Sequence, residues 1–238
     1  MKLGDRMKLY EEVPKLKLMR RVPVILRLDG KSFHTYTKGF DKPWDKLIFT
    51  GMTETAKYVC KNISGAKMAY TQSDEISILI TDYDNIDTEP WFDYQVQKIV
   101  SVTASMASAI FNLIMKGQGV NKALGVFDCR VSNYPKDEVV NYFIWRQKDC
   151  ERNSIQGLAQ SLFSQTQLHG LKTNQLQDKM LTEKDVNWND CEVWQKRGVS
   201  IIKETYMKED AIRNKWSVDM NIPIFTQDRQ YISKFYDF

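Results

Sequence analysis

The chain has 238 residues, of which 42% are hydrophobic and 27% are charged, proportions typical of a soluble globular protein with one large domain. Its 34 basic and 30 acidic residues leave a formal charge of +4, which permits an anionic partner without requiring one. Two histidines, and four cysteines without a Cys-x-x-Cys pair, argue against a zinc site and indicate reduced, structural thiols in a cytoplasmic protein.

The first half of the chain predicts a sheet with helices packed on one of its faces. The predicted elements are, in chain order, strand 22–28, helix 45–62, strand 66–70, strand 76–80, helix 94–116 and strand 123–134. The first strand is apolar and β-branched, and the first helix has apolar residues at four-residue spacing from Ile48 to Cys60. This βαββαβ order is that of an α+β, ferredoxin-like or polymerase-palm-like fold with an antiparallel sheet.

The second half of the chain is less regular. Residues 137–168 predict one long or broken helix, because apolar residues follow a helical stripe. After Lys172 the sequence is polar with weak periodicity, which indicates an extension and not a clear second domain. We therefore expect a palm-like catalytic domain at 1–136 and a helical and mixed C-terminal region at 137–238, packed together as one unit.

One segment raises the question of a membrane. Residues 99–115 carry no formal charge, but the run is short for a span and contains several serines and threonines. Because apolar positions nearly encircle this helix, we expect it to be buried on most sides in the core. The N-terminus begins with charged residues and not with an export signal, so we expect no membrane association.

Two acids stand where predicted strands end. Asp29 closes the first strand, and Asp74 lies at the tip of a hairpin between the next two. On adjacent strands they could hold two Mg²⁺ ions, which neutralise triphosphate charge and activate a hydroxyl nucleophile, with the Gly30 carbonyl as a further ligand. Glu75 is a third candidate catalytic acid, although a regular strand points it away from Asp74. Taken singly, Asp29 could cap a turn and Asp74 could fill a hairpin tip.

Five motifs carry a family resemblance. They are Arg27-Leu28-Asp29-Gly30 with Phe33-His34, Lys42-Pro43-Trp44-Asp45, Gln72-Ser73-Asp74-Glu75, Phe127-Asp128-Cys129-Arg130-Val131 and Trp145-Arg146-Gln147-x-Asp149. They resemble the tRNA-His guanylyltransferase superfamily, whose members extend RNA in the reverse, 3′-to-5′ direction. Further similarity at residues 4–11, 194–198 and 222–225 is closest to the guanylyltransferase-like proteins of bacteria and archaea. The resemblance covers nearly the whole chain.

One motif departs from the eukaryotic type. Where that type carries His-Ile-Asn-Asn, which is tied to tRNA-His, this chain has Glu151-Arg152-Asn153-Ser154. The resemblance then implies a repair enzyme that adds nucleotides to the 5′ end of truncated tRNA by pairing against the opposite strand. ATP first adenylylates the 5′-monophosphate, and the 3′-hydroxyl of an incoming triphosphate such as GTP attacks it. A tRNA-His guanylyltransferase remains the alternative.

The resemblance also implies roles for individual residues. The magnesium ligands would be Asp29, Gly30 and Asp74, with Glu75 in support. Contacts to the nucleotide would come from Arg27, Phe33, His34, Lys42, Asp45 and Ser73. Contacts to RNA phosphates would come from Arg130, Arg152, Asn153, Lys196 and Arg197.

Several of these residues have a structural interpretation that the sequence leaves open. Lys42 could be a solvated loop lysine, and His34 could be half-buried and satisfied by backbone. Arg130 could pair with Asp128. Arg146, Asp149 and Arg152 lie three residues apart, so they could form an ion-pair ladder on a helix surface.

Two functions from other classes also remain open. A palm-type nucleotide cyclase would keep the metals but act on a small nucleotide; the polar sequence after Lys172 argues against it. An RNA-binding protein without catalysis is disfavoured because Asp29, Asp74 and Glu75 are all present. Members of the resembled family form dimers and tetramers, so we expect a homo-oligomer; among the sequence features only an aromatic-rich C-terminal end suggests an interface.

Overall fold

The computed structural model describes residues 1–209 and 211–237, and within them an α+β fold. The strands are β1 (Val24–Gly30), β2 (Ala66–Gln72), β3 (Glu75–Ile80), β4 (Phe127–Asn133), β5 (Val199–Lys208) and β6 (Ala211–Asp219). The helices are α1 (Leu3–Glu12), α2 (Phe33–Tyr36), α3 (Lys46–Asn62), α4 (Val96–Gly117), α5 (Lys136–Leu162), α6 (Gln165–Leu168), α7 (Thr173–Lys184), α8 (Val193–Arg197) and α9 (Gln230–Ser233).

The strands form one antiparallel sheet in the order β4-β1-β3-β2-β5-β6. Its first four strands, with α3 and α4, are the predicted βαββαβ unit, which confirms the palm-like fold. The expectation of an irregular extension after Lys172 needs correction, because β5 and β6 pair with β2 and continue the sheet. The alternation of polar and apolar residues in β5 and β6 is too weak to predict strands, since their outer halves are exposed to solvent on both faces.

The two faces of the sheet pack against different helices. Leu26 and Ile78 lie on one face in a core that includes buried residues of α3 and α4. Ile25 and Leu79, each one residue along, lie on the opposite face with Phe143 of α5. Because successive strand residues point to opposite faces, both faces of the central strands are apolar. The palm is therefore covered on its second face by the C-terminal region.

Helix α5 is the long helix predicted for the second half of the chain, although it ends at Leu162. Its N-terminal half packs on the sheet, and its C-terminal half packs with α7 around Leu158 and Met180. One continuous helix therefore links the sheet to the outer helical layer.

Helix α4 is less buried than its sequence indicates. By length and composition it is the one helix of the described residues that could cross a membrane. Only five of its residues are buried, and they lie on one stripe that includes Thr103 and Phe111. The opposite stripe, with Ser105, Ala109 and Leu113, is exposed. The prediction that α4 is buried on most sides is thus wrong.

Gly198, which joins α8 to β5, provides a test of local packing. Its φ of +73° disfavours any other residue, and a Cβ there would lie 2.5 Å from the Thr71 carbonyl oxygen. Gly119 has a similar φ of +80° with open space around it. Because both positions carry the dihedral cost, we expect Gly198→Ala to lose about 1–3 kcal/mol more unfolding free energy than Gly119→Ala. Urea denaturation measures both; equal losses would contradict the close contact.

Candidate active site

The two predicted metal ligands lie side by side at one end of the sheet. Asp29 is on β1 directly opposite Glu75 of β3. Asp74 occupies the two-residue turn between β2 and β3, and its carbonyl oxygen accepts a hydrogen bond from the Gly30 amide at 3.1 Å. Ser73 has a φ of +51°, which lets this turn be tight. The hairpin prediction is confirmed, and it brings Asp74 next to the end of β1.

The carboxyl groups of this pair interact electrostatically. Burial raises the pKa of Asp74, and the nearby charge of Asp29 raises it further. A hydrogen bond from Ser73, 3.0 Å from Asp74 Oδ1, and the charge of His34 act in the opposite direction. Two carboxylates that lie close together at one end of a sheet, and that repel each other, are suited to share cations.

These residues fit magnesium by donor chemistry. Magnesium prefers hard oxygen ligands, and it is commonly held by one or two carboxylates together with substrate phosphates. Asp29, Asp74 and the Gly30 carbonyl offer such oxygens. Within residues 1–209 and 211–237 no three histidine, cysteine or acidic side chains group closely enough to hold a metal alone, so phosphates would have to complete the ligand set. Glycine is required at position 30, because a Cβ there would lie 2.3 Å from the Phe33 ring.

Glu75 has a different environment from the other two acids. Both of its oxygens accept hydrogen bonds from Arg146 of α5, from Nε and from Nη2, each at 2.7 Å. Burial raises the pKa of Glu75, and the guanidinium opposes this shift. Ser77 Oγ lies 3.3 Å from the same carboxylate and 2.9 Å from the Tyr142 hydroxyl. These bonds occupy the Glu75 carboxylate, so we assign it to positioning the turn and not to metal binding.

A cleft of about 250 Å³ opens beside the acid pair. Its wall includes four of the predicted site residues: Lys42, Asp45, Ser73 and Asn153. Phe49 and Trp194 add an aromatic pair with ring centroids 4.4 Å apart. Ser73 connects the cleft to the acids, because it lines the cleft and donates to Asp74. The cleft has the mixed apolar and polar lining of a small-molecule site.

One of these cleft residues, Asp45, also has a structural role. Asp45 is the N-cap of α3 and accepts hydrogen bonds from the amides of Leu47 at 2.7 Å and Ile48 at 3.1 Å. The exposed Lys42 precedes it in the loop that forms the cleft wall. The helix cap therefore fixes the loop that carries the predicted triphosphate-binding lysine.

The remaining predicted nucleotide contacts lie outside the cleft. His34 is exposed and close enough to Asp74 to affect its pKa. Arg27 faces α5, with its guanidinium 5.8 Å from the Trp145 ring and its buried Nε without a hydrogen-bond partner. The Phe33 side chain is buried among aromatic rings that include Phe111, so it serves packing and cannot face a nucleotide.

The predicted RNA contacts do not form one surface. Arg130 on β4 is exposed, with Nη2 4.0 Å from Asp29 and Nε 3.5 Å from Asp128. Arg197 lies three strands away beside β2 and β5, with Nε 3.8 Å from Glu151. Arg152 is exposed and pairs with Asp149, to which Asn153 donates a 3.4 Å hydrogen bond. The prediction for Lys196 needs correction: it is buried and donates to a backbone carbonyl, so it cannot reach RNA.

The most important residue without a predicted role is Arg146. The Trp145-Arg146-Gln147-x-Asp149 motif marks it, but three-residue spacing alone suggests a surface ladder. The structure contains both ion pairs of this ladder, Arg146–Asp149 at 2.9 Å and Arg152–Asp149. It corrects the surface placement at one end, because Arg146 is buried and also binds Glu75. The sequence signal that could have indicated its burial is that a charged residue lies within the apolar stripe of the predicted helix.

Comparison with known proteins decides the family. A family model described as tRNAHis guanylyltransferase matches residues 4–135, more than half of the chain. The chain belongs to the tRNAHis guanylyltransferase family. Within this family, a "Probable tRNA(His) guanylyltransferase" of Mus musculus is 26% identical over 208 residues, which cover 81% of this chain and 67% of that protein. The protein is therefore a nucleotidyltransferase of the guanylyltransferase type.

A viral relative and two solved structures extend the comparison. An uncharacterised protein of Acanthamoeba polyphaga mimivirus, R259, is 30% identical, over 89% of this chain and 80% of its own. A solved bacterial tRNA(His) guanylyltransferase (Thg1)-like protein in complex with ATP is 50% identical, covers both chains fully and has a TM-score of 0.92. The Saccharomyces cerevisiae enzyme, at 21% identity, shares the fold with a TM-score of 0.72 over 95% of this chain and all of its own.

The buried ion pair predicts a large effect on stability. Arg146→Met would leave the buried Glu75 carboxylate without its ion-pair partner, so we expect a loss of about 3–5 kcal/mol of unfolding free energy. Arg152→Met is the matched control, because Arg152 pairs with the same Asp149 but its side chain is 57% exposed, and such pairs contribute about 0–1 kcal/mol. Urea denaturation of both variants measures the difference. Similar small losses would show that the Arg146 pair is not essential.

Proposed function

We propose that this protein repairs tRNA by adding nucleotides to a truncated 5′ end in the 3′-to-5′ direction, with the base chosen by the opposite strand. The observation that carries the proposal is the Asp29–Asp74 pair, which Ser73 joins to a cleft with a mixed polar and apolar lining. Related bacterial proteins have been solved in complex with ATP and with GTP, which supports the same two substrates here.

The chemistry has two steps. The 5′-monophosphate of tRNA first attacks the α-phosphate of ATP and displaces pyrophosphate, which leaves an adenylylated end. The 3′-hydroxyl of the incoming triphosphate then attacks the 5′-phosphate and displaces AMP. When bound, two magnesium ions would neutralise phosphate charge and favour loss of the hydroxyl proton. In this proposal Asp29, Asp74 and the Gly30 carbonyl hold them in both steps.

The other residues of the site bind and orient the substrates. Lys42 and the Ser73 hydroxyl contact the triphosphate from the cleft wall. Arg130 lies beside Asp29 and is exposed, so it can pass from the carboxylate to an RNA phosphate as the substrate enters. Arg27 has a buried donor without a partner near the acids, and a phosphate oxygen would satisfy it.

Repair is favoured over a histidine-specific reaction by the residues in the Glu151-Arg152-Asn153-Ser154 segment. Asn153 and Ser154 line the cleft where the eukaryotic type has part of its tRNA-His motif. Arg152 is held by Asp149, and Glu151 lies next to Arg197. A site that has lost the tRNA-His motif but kept the acids supports nucleotide addition without a single dedicated tRNA. A cytoplasmic location stays a prediction.

The acid pair gives the first functional prediction. We expect Asp29→Asn and Asp74→Asn each to lower nucleotide addition by on the order of 10³-fold, because one charge needed to hold the cations is removed. Asp128→Asn is the control, since Asp128 lies on β4 directly opposite Asp29 but is exposed and is one strand farther from the β2–β3 turn. Incorporation of labelled nucleotide and tRNA filter binding report activity and affinity separately. Full activity in either Asp29 or Asp74 variant would remove the metal-site assignment.

The choice of substrate gives the second prediction. A repair enzyme restores the missing first nucleotide on several truncated tRNAs, and a changed opposite base changes the nucleotide that is added. We expect this result when labelled triphosphates are tested with truncated and intact tRNAs. Incorporation of GTP only into full-length tRNA-His would instead establish the histidine-specific reaction.

A further inference from the structure

The loop that carries Lys42 is held at its far end but also needs a support at its start. We call residues 37–45 the cleft loop, because they form one wall of the cleft. At its far end Asp45 caps α3 and accepts a hydrogen bond from the Asp41 amide at 3.0 Å. At its start Lys38 and Gly39 are exposed. Exposed loop backbone samples many conformations unless further contacts hold it, so the place of Lys42 depends on those contacts.

Lys122 supplies this support from a distant part of the chain. Its ammonium donates hydrogen bonds to the carbonyl oxygens of Tyr36, at 2.9 Å, and of Lys38. The same ammonium lies 4.5 Å from the centroid of the Phe40 ring, within the range of a cation–π contact. Hydrogen bonds from a charged donor are stronger than those between neutral groups. One side chain therefore binds both the backbone and an aromatic ring at the start of the cleft loop.

The segment that carries Lys122 is itself tied to the core. This segment connects α4 to β4, and its Gly125 is buried. Asn112 of α4 binds Gly125 twice: its Oδ1 accepts from the Gly125 amide at 2.9 Å, and its Nδ2 donates to the Gly125 carbonyl at 2.7 Å. The Lys31 amide also donates to the carbonyl of Val126 at 2.8 Å. Lys122 thus lies three residues from backbone that a core helix holds in place.

We propose that Lys122 is a positioning residue for the nucleotide, which sets where Lys42 can place its ammonium by holding the start of the cleft loop. This inference rests on the proposed function, in which Lys42 contacts the triphosphate. Only four positions separate Lys38 from Lys42, so a shift at the first carries to the second. Lys122 binds carbonyl oxygens of the protein, and its effect on the nucleotide passes through the loop.

The first experiment tests the support without any nucleotide. Trypsin can cut the cleft loop after Lys38, whereas the bond between Lys42 and Pro43 resists it. Lys122→Met keeps an apolar stem beside Phe40 but removes the donor, so we expect cleavage after Lys38 to be at least about fivefold faster than in wild type. Mass spectrometry of the fragments identifies the cut.

The matched control for this experiment is Lys116→Met. Lys116 is an exposed lysine in the last turn of α4, so its substitution removes the same charge. We expect the control to be cut after Lys38 at the wild-type rate. Equal rates in Lys122→Met and wild type would overturn the proposal.

The second experiment measures the affinity for ATP and for GTP, by calorimetry with magnesium and without tRNA. We expect Lys122→Met to weaken binding by about tenfold, because the loop no longer presents Lys42. Lys122→Arg should stay within about threefold of wild type, since a guanidinium can also donate to two carbonyls. As Lys122 is exposed, the melting temperatures of these variants should lie close to wild type.

A double substitution separates positioning from a general structural role. In a Lys42→Ala chain the group that Lys122 positions is missing, so adding Lys122→Met should weaken binding by less than about twofold. A full tenfold loss in that chain would overturn the proposal. Wild-type protein that bound neither triphosphate would instead contradict the proposed function, and the role of Lys42 with it.

Discussion

The active end of this molecule depends on one buried ion pair between the sheet and a helix. Arg146 of α5 holds both oxygens of Glu75, and Glu75 stands between Asp74 in the chain and Asp29 across the strands. A buried charge is costly unless it is paired and hydrogen-bonded, so this pair tolerates little displacement. Helix α5 thereby fixes the geometry of the two candidate metal ligands, although it carries neither of them.

This arrangement also gives the three acids of the site different roles. Asp29 and Asp74 keep their carboxylate oxygens available at one end of the sheet. The carboxylate of Glu75 is instead paired with Arg146 of α5. Asp29 and Glu75 lie directly opposite each other on β1 and β3, so the two roles do not come from different faces of the sheet. They differ because Arg146 binds both oxygens of Glu75 and leaves Asp29 partly exposed. The same chain segment therefore supplies a ligand and its support.

Much of this could be predicted from the sequence where the signal is local. The β1 strand, helix α3 and the hairpin tip at Ser73 and Asp74 follow from patterns of a few residues. The pairing of β1 with β3, which brings Asp29 beside this hairpin, is expected from the βαββαβ order and not from any local pattern. Signals that depend on distant parts of the chain were missed. Strands β5 and β6 lack alternation because solvent surrounds their outer halves, and the burial of Arg146 depends on an acid 71 positions away. The sequence could not reveal that one face of α4 is exposed, because an apolar helix face has the same residue pattern whether the protein core or a partner covers it.

The dependence of Glu75 on α5 limits which sequences can follow the palm in such a fold. A palm is often regarded as a portable unit that can be combined with different neighbours. Here the strand that bears its acids would present a bare, desolvated carboxylate if residues 137–238 were exchanged for an unrelated sequence. A replacement segment would need to place a guanidinium at the same position to keep Glu75 paired, so this ion pair couples the sequence of the palm to that of the C-terminal region.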